Sequence, residues 1–256
     1  MPSVLFLSPH LDDVAFSCCA VLLQHIQQGD HVQLVTVFTG NVANPQGFAL
    51  QCQTSKNIAP DVDYMKLRRA EDQKFCRVVG LEDWTCWPLL EAPHRGYNSA
   101  PELFEGIKTG DEIWREIADR LRDFDECERV YCPQGLGNHV DHLQTIRAAL
   151  AVFPLHKLWF YRDTPYAIRE GDATPSSSLP PLDERYVVFD EAVLERKIEG
   201  CGAYESQTGF QFGGREEMAR KLRSFHAEEA RYCDVSPFAE RFLTTSENEV
   251  STVERA

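Results

Sequence analysis

The sequence contains no apolar run close to the roughly 20 residues that a membrane-spanning helix needs, so we expect no membrane partner. Basic residues are also scarce, because 26 lysines and arginines stand against 40 aspartates and glutamates and leave a net charge of −14. That charge repels phosphate backbones, so we expect no nucleic-acid partner. No Gly-x-Gly-x-x-Gly motif follows the first apolar run, which argues against a dinucleotide-binding module.

Cysteine is present, but it is not arranged for metal binding or for a disulfide framework. The nine cysteines are an odd number, and none forms a Cys-x-x-Cys pair. They are typical of reduced, buried thiols, and we expect Cys18 and Cys19 to pack in the core. The first residues, Met-Pro-Ser, lack the basic segment of a signal peptide. We therefore expect a cytoplasmic protein.

The N-terminal part of the chain predicts a strand, a helix and a second strand joined by short links. Residues 4–7 form an apolar run of strand length, apolar residues recur at helical spacing over 13–28, and 31–38 is rich in valine. This order favours a right-handed unit with parallel strands. We predict one α/β domain over residues 1–243 with a mostly parallel central sheet, and a flexible tail over 244–256.

Helices and strands alternate along the rest of the chain. The predicted helices are 67–79, 111–122, 141–153, 191–201 and 215–225. The predicted strands are 129–132, 158–161 and 185–189. Long polar or proline-rich segments at 41–63, 91–110 and 164–181 predict loops. We expect substrate specificity to lie in these loops, because loops of that length are commonly functional.

Two clusters of histidine and aspartate follow predicted strands. His-Leu-Asp-Asp at residues 10–13 comes directly after the first strand, and His-Val-Asp-His at 139–142 lies between the strand 129–132 and a helix. In open α/β sheets, ligands bind in the crevice beyond the carboxyl ends of the strands. We therefore expect the two clusters to form one metal site.

Each of these residues, taken alone, also has a structural explanation. Asp12 or Asp13 could cap the following helix, His142 could be an ordinary buried histidine, and His139 could be a loop residue. The occurrence of both clusters at strand ends favours the metal site. Two imidazoles and one carboxylate form a catalytic zinc set that leaves one position for water. A second carboxylate can act as general base, and a further histidine can stabilise an oxyanion or protonate a leaving amine.

These motifs resemble those of the PIG-L/LmbE-like N-deacetylase family, which typically has an Ala-His-Pro-Asp-Asp type motif after the first strand and a His-x-Asp-His motif later. In the first motif of this chain, Leu11 stands in place of the family's proline, and Val14 stands where a glutamate often follows the two aspartates. The resemblance extends to Arg-Arg-Ala-Glu-Asp at 68–72 and to segments within 161–166 and 197–207. It implies a Rossmann-like three-layer fold.

The resemblance implies a role for each motif residue. One Zn²⁺, which other divalent transition metals can replace, would be bound by His10, Asp13 and His142. Asp12 would be the general base and Asp141 would orient a histidine. His139 would contact the developing oxyanion, and we expect Asp141 to favour its charged form.

Contacts with the substrate are expected outside the two motifs. Some family sites place a tyrosine two residues before the first histidine of the second motif, but that position is Gly137 here. A residue from elsewhere, such as Tyr166, would then help the oxyanion site. The predicted substrate-binding residues are Arg68, Asn41, Asp163 and Tyr166.

Family members remove acetyl groups from N-acetylated amino sugars and similar conjugates. The resemblance therefore implies a zinc-dependent hydrolase that removes an N-acetyl group from a small-molecule amino sugar or sugar conjugate. Amide hydrolysis on a non-sugar metabolite, a non-catalytic Rossmann-like binding module and a metal-binding regulator are the alternatives. Metal content would separate an enzyme from a binding module, and acetate release would separate it from a regulator. A homo-oligomer is possible.

Overall fold

The computed structural model describes residues 2–170 and 173–246. Seven strands form one sheet: β1 (Ser3–Ser8), β2 (His31–Thr36), β3 (Asp83–Cys86), β4 (Arg129–Pro133), β5 (Leu158–Tyr161), β6 (Asp183–Phe189) and β7 (Phe238–Thr244). The helices are α1 (Asp13–Gln28), α2 (Gly47–Thr54), α3 (Tyr64–Val79), α4 (Ile113–Leu121), α5 (Val140–Val152), α6 (Tyr166–Glu170), α7 (Glu191–Cys201), α8 (Glu205–Phe212) and α9 (Arg215–Tyr232).

The strand order is β3-β2-β1-β4-β5-β7-β6. Strands β1 to β5 pair in parallel, and β7 and β6 extend the sheet in antiparallel orientation. The chain moves to one side of β1 for β2 and β3, and to the other side for β4 and β5. The junction of β1 and β4 is therefore the topological switch point, where open α/β sheets bind their ligands.

Apolar side chains cover both faces of the sheet, as a parallel sheet between helices requires. Along β1 the side chains alternate between the faces. Val4 and Phe6 belong to the core cluster that includes residues of α1, α3 and α7, whereas Leu5 and Leu7 belong to the cluster that includes residues of α4 and α5. The predicted α/β class with a mostly parallel sheet is confirmed, and the fold has three layers.

Most predicted elements are present, and the differences concern short elements and ends. The helix over 13–28 is confirmed at both ends, whereas the helix 67–79 begins three residues earlier and 215–225 continues to Tyr232. The predicted loops 41–63 and 164–181 contain α2 and α6, and β3, β7 and α8 were not predicted. Thr244 is the last residue of β7, and residues 247–256 of the predicted tail lie outside the described residues.

Helix α1 bends at Cys18, which has non-helical angles of φ −136° and ψ 26°. Beyond the bend, the backbone N–H groups of Ala20 and Val21 donate hydrogen bonds to the buried carboxylate of Glu240, at 3.0 and 2.9 Å. Lys197 Nζ pairs with the same carboxylate at 2.8 Å. Glu240 thus supplies the acceptors that the N–H groups at a helix start otherwise lack.

Among residues 2–170 and 173–246, no helix is both long and apolar enough to cross a membrane.

Candidate active site

The two histidine-aspartate motifs meet at the carboxyl ends of β1 and β4, because these strands are neighbours in the sheet. The ring centroid of His10 lies 4.8 Å from that of His139 and 5.3 Å from that of His142. One nitrogen from each of these three histidines lies within 4.8 Å of the other two. The structure therefore brings together residues separated by more than 120 positions, as the sequence predicted.

Asp13 lies between two of these histidines. Its Oδ2 is 3.3 Å from His10 Nδ1 and 3.3 Å from His142 Nε2. Two tetrahedral ligands bound to zinc at about 2.0–2.1 Å lie roughly 3.3 Å apart, so these spacings suit a shared metal ion. His142 Nε2 is buried and has no hydrogen-bond partner among the described residues. An unpartnered buried nitrogen costs free energy, and a metal ion would compensate for it.

A second carboxylate orients each of the two histidines. His142 Nδ1 donates to Asp163 Oδ1 at 2.5 Å, and Asp163 Oδ2 also accepts the N–H of Leu136. His10 Nε2 donates to Asp141 Oδ2 at 3.0 Å. These bonds leave His142 Nε2 and His10 Nδ1 as the free ring nitrogens, which is the arrangement of metal-binding histidines.

Asp141 is itself held in place by its surroundings. Arg95 Nη2 lies 2.8 Å from its Oδ1, and the N–H of Ala92 donates to its Oδ2 at 3.1 Å. Burial alone would raise the pKa of Asp141, but Arg95 and His10 hold it well below the usual range. Arg95 was not identified from the sequence, because it lies in a proline- and glycine-rich segment with no readable pattern.

The adjacent aspartates have opposite electrostatic environments. Burial raises the pKa of Asp12 to about 7, although Arg68, 3.3 Å away, acts against the shift. Burial would also raise the pKa of Asp13, but the positive charges of the neighbouring His142 and His10 bring it well below the usual range. Neither carboxylate caps α1, because Asp12 makes no capping bond and Asp13 Oδ2 accepts the N–H of His10. An acid with a pKa near 7 suits proton transfer at neutral pH.

His139 differs from expectation in its charge. Burial and the neighbouring His10 lower its pKa to about 3, and Asp141 only partly opposes this shift. Asp141 favours the charged form of His139, as expected, but burial and His10 outweigh it, so the expected cationic His139 is neutral near pH 7. His139 Nδ1 accepts the N–H of Asp141 at 3.2 Å, so the proton of the neutral ring is on Nε2.

The residues predicted to contact substrate lie in different places. Arg68 and Tyr166 line the same cavity as His10, Asp12, Asp13 and His139. Asp163 does not reach this cavity, because it is 1% exposed and its carboxylate is engaged by His142 and Leu136. Asn41 donates to Asp63 and lines a neighbouring cavity instead. Asp163 follows the end of β5, the third strand whose carboxyl end carries an aspartate. This position could have indicated that Asp163 holds His142.

The cavity over the motifs has a volume of about 580 Å³. Its outer wall contains phenylalanines that the sequence gave no reason to select, Phe48, Phe104 and Phe210. Phe104 and Phe210 are 40% and 51% exposed, which is unusual for large apolar side chains. The volume is within the range of cavities that enclose small molecules.

The family model described as PIG-L, GlcNAc-PI de-N-acetylase, matches residues 5–153. The 2'-N-acetylparomamine deacetylase of Streptomyces fradiae is 32% identical over 217 residues, which cover 80% of this chain and 73% of that protein. The 2'-N-acetylparomamine deacetylase of Niallia circulans is 25% identical over 238 residues, covering 82% of this chain and 86% of that protein.

Among solved structures, the zinc-inhibited form of teicoplanin deacetylase Orf2 superimposes with a TM-score of 0.78. Its sequence is 22% identical, and the match covers 96% of this chain and 100% of that chain. At this identity the similarity establishes the fold alone, and the site chemistry depends on the residues described above.

Proposed function

The chain belongs to the PIG-L family of GlcNAc-PI de-N-acetylases, and from that premise we propose that it is a zinc-dependent hydrolase that removes the N-acetyl group from an amino sugar or a sugar conjugate. One observation carries the proposal: the carboxylate of Asp13 lies between the free ring nitrogens of His10 and His142, and Asp12 lies beside this group. The relatives named above are 2'-N-acetylparomamine deacetylases and a teicoplanin deacetylase, which supports the same reaction class.

The metal would be held by His10 Nδ1, Asp13 Oδ2 and His142 Nε2. A bound zinc ion supplies Lewis acidity and lowers the pKa of a water molecule. His139 is the competing ligand, since its ring also lies in the histidine cluster. The 3.3 Å spacings of Asp13 favour Asp13, and they leave His139 Nε2–H available to the substrate.

Asp12 would act as the general base. With a pKa of about 7, its carboxylate is largely ionised above neutrality and can accept the proton of the attacking water. The water oxygen bonds to the carbonyl carbon, and the C–N bond then breaks as the same proton passes to the leaving nitrogen. The products are the free amine and acetic acid, which releases its proton to become acetate. Arg68 orients Asp12, and its own guanidinium is anchored by Tyr64 and the carbonyl of Leu11.

His139 and Tyr166 would stabilise the oxyanion. The neutral His139 offers its Nε2–H, as argued above. Burial, with nearby Asp13 and Asp163, raises the pKa of Tyr166 well above its usual value, so the phenol keeps its proton and remains a donor. Two donors aimed at the developing charge are the arrangement that acyl-transfer enzymes use.

The substrate would be a soluble small molecule, and amide hydrolysis on a non-sugar metabolite is the alternative. We propose that residues 1–243 form the catalytic domain and that the protein acts in the cytoplasm. We also propose that it can form a homo-oligomer. A nucleotide-binding module is disfavoured, because it has no use for the oriented histidines or for Asp12.

Acetate release from a panel of N-acetylated sugars, sugar conjugates and non-sugar amides tests this proposal. The zinc-loaded protein should release stoichiometric acetate from at least one sugar, and Asp12→Asn should not. Activity confined to non-sugar amides would select the alternative. Retention of one metal per chain without acetate release would instead indicate a metal-binding regulator.

A further inference from the structure

A second cavity, of about 220 Å³, adjoins the catalytic one. It lies between the segment after β2, helix α2, the start of α3 and the segment after β3. Four residues line both cavities, Cys52, Tyr64, Glu91 and Pro93. Glu91 directly precedes Ala92, whose N–H holds Asp141. The second cavity, here called the side cavity, therefore borders the catalytic cavity along these four residues.

The charged groups of the side cavity are all acidic. Asp61, Asp63 and Glu91 line it, and its lining includes no lysine or arginine. Burial lowers the pKa of His94, so this histidine adds no positive charge near neutrality. The catalytic cavity is different, because its carboxylates (Asp12, Asp13, Glu91 and Asp141) are accompanied by the basic side chains of Lys56, Arg68 and Arg169. A positively charged group entering both cavities would be attracted to the side cavity.

A buried amide adds an unused acceptor. Gln53 lines the side cavity and is 1% exposed. Its Nε2 donates to the carbonyls of Ala59 at 2.5 Å and Val62 at 3.2 Å, which fixes the orientation of the amide. Its Oε1 has no hydrogen-bond partner among the described residues. Buried acceptors without partners are rare in folded proteins, and such an atom points to a missing donor.

We propose that the side cavity binds a protonated amino group of the substrate, so that preferred substrates carry a free amine besides the N-acetyl group. This inference rests on the proposed function, because it assigns the side cavity to the same substrate. An ammonium group has three N–H donors and one positive charge. It matches a cavity that is lined by carboxylates and by Gln53 and that borders the catalytic cavity.

Two disaccharides of glucosamine make a matched test. The first has one N-acetyl group and one free amine, and both of its positional isomers are tested. The second is N,N'-diacetylchitobiose, which has two N-acetyl groups and no free amine. At pH 6.5 they differ in one positive charge and one acetyl group. The double variant Glu91→Gln/Asp61→Asn removes two charges from the side cavity. Asp123→Asn is the control, because Asp123 is exposed and lies shortly before the start of β4, at the end of the strands opposite to the catalytic site.

We expect the wild type to prefer an amine-bearing isomer in kcat/KM by about 10-fold, mainly through KM. The double variant should reduce that preference to about 2-fold or less, and Asp123→Asn should retain it. Equal losses on both substrates, or an unchanged preference, would overturn the proposal. Activation by calcium that depends on Glu91 and Asp61 would also overturn it, because the side cavity would then be a cation site.

Direct binding separates this inference from the proposed function. Calorimetry with chitobiose bearing two free amines measures the side cavity without any turnover. Weaker binding to the double variant, with normal binding to Asp123→Asn, would support the cavity even if no acetate were released from any sugar. Acetate release with equal binding to all three proteins would leave the deacetylase proposal intact and reject the side-cavity proposal.

Discussion

The ring of Tyr166 packs against Gly137 so closely that a β-carbon at position 137 would lie 2.7 Å from Tyr166 Cδ1. Gly137 has φ of +76°, a conformation that other residues rarely adopt. The Tyr166 ring, which follows β5 in the chain, thus fills the space that a side chain at position 137 would need. This packing gives Tyr166 a fixed position at the wall of the catalytic cavity.

The first prediction concerns this tyrosine. Tyr166→Phe should lower kcat by about 100-fold and change KM little, because the lost donor acts mainly in the transition state. Gly137→Ala should have a similar effect, since its methyl group displaces the ring. Steady-state kinetics on the best substrate measures both. Tyr232→Phe, at an exposed position, is the control, and a Tyr166→Phe enzyme with wild-type kcat would remove the phenol from the mechanism.

The second prediction separates Asp13 from His139 as the metal ligand. Asp13→Ala should lose most bound zinc, whereas His139→Ala should keep about one zinc per chain and lower kcat. The reason is that Asp13 Oδ2 lies 3.3 Å from a nitrogen of both other ligands. Elemental analysis after gel filtration gives the metal content. Loss of zinc from His139→Ala with retention in Asp13→Ala would favour a three-histidine site.

The third prediction concerns the acidic limb of the rate profile. Asp12 must be ionised to accept a proton, and burial raises its pKa to about 7. The wild-type kcat should therefore rise as the pH increases through about 7. Asp12→Asn should keep its metal, lose roughly 10²–10⁴-fold in kcat and lose this limb. His139→Ala should keep the limb, because His139 is neutral throughout this range. A limb that persists in Asp12→Asn would assign the proton transfer to another group.

The fourth prediction concerns the group that orients His142. Asp163→Asn removes the negative charge and one of the two acceptor oxygens that hold His142 Nδ1 and the Leu136 N–H, so the His142 ring is held less firmly and zinc affinity should fall by about 10–100-fold. Competition with a chelator measures the affinity. His25 and Asp30 form a similar pair at 2.7 Å at the other end of α1, so Asp30→Asn is the matched control. Equal zinc affinity in Asp163→Asn and the wild type would make Asp163 a structural residue only.

The sequence predicted the parts of this molecule that depend on local pattern. Periodicity identified α1, and position after a strand identified the two motifs that meet at the candidate site, because parallel strands end at one edge of the sheet. Contacts between distant segments could not be predicted. Glu240 caps a bend some 220 positions earlier, and nothing in its neighbouring sequence indicates this partner. The neutral state of His139 likewise depends on burial and on His10, which only the tertiary structure supplies.

The last prediction concerns stability and lies outside the active site. His226 is fully buried against Phe189 and Phe225, and its Nδ1 donates to the carbonyl of Ala239 at 3.0 Å. Burial, together with the nearby Lys197, lowers its pKa well below the usual 6.5. Below pH 6.5 the unfolded chain therefore binds a proton at His226 that the folded chain does not bind. Above that pH both states are neutral, and His226 adds no pH dependence.

The unfolding free energy should accordingly fall as the pH drops, and His226 contributes at most roughly 2 kcal/mol between pH 7 and pH 5, the limit set by protonation of the unfolded chain. His226→Asn can still donate to Ala239, and it has no titrating ring. This variant should be less stable at pH 7, because it fills less space, but it should lose less of its remaining stability on acidification. Urea unfolding at both pH values gives the difference, with His31→Asn at an exposed position as the control. Equal acid sensitivity in His226→Asn and the wild type would mean that other groups, such as the paired carboxylates, account for the whole effect.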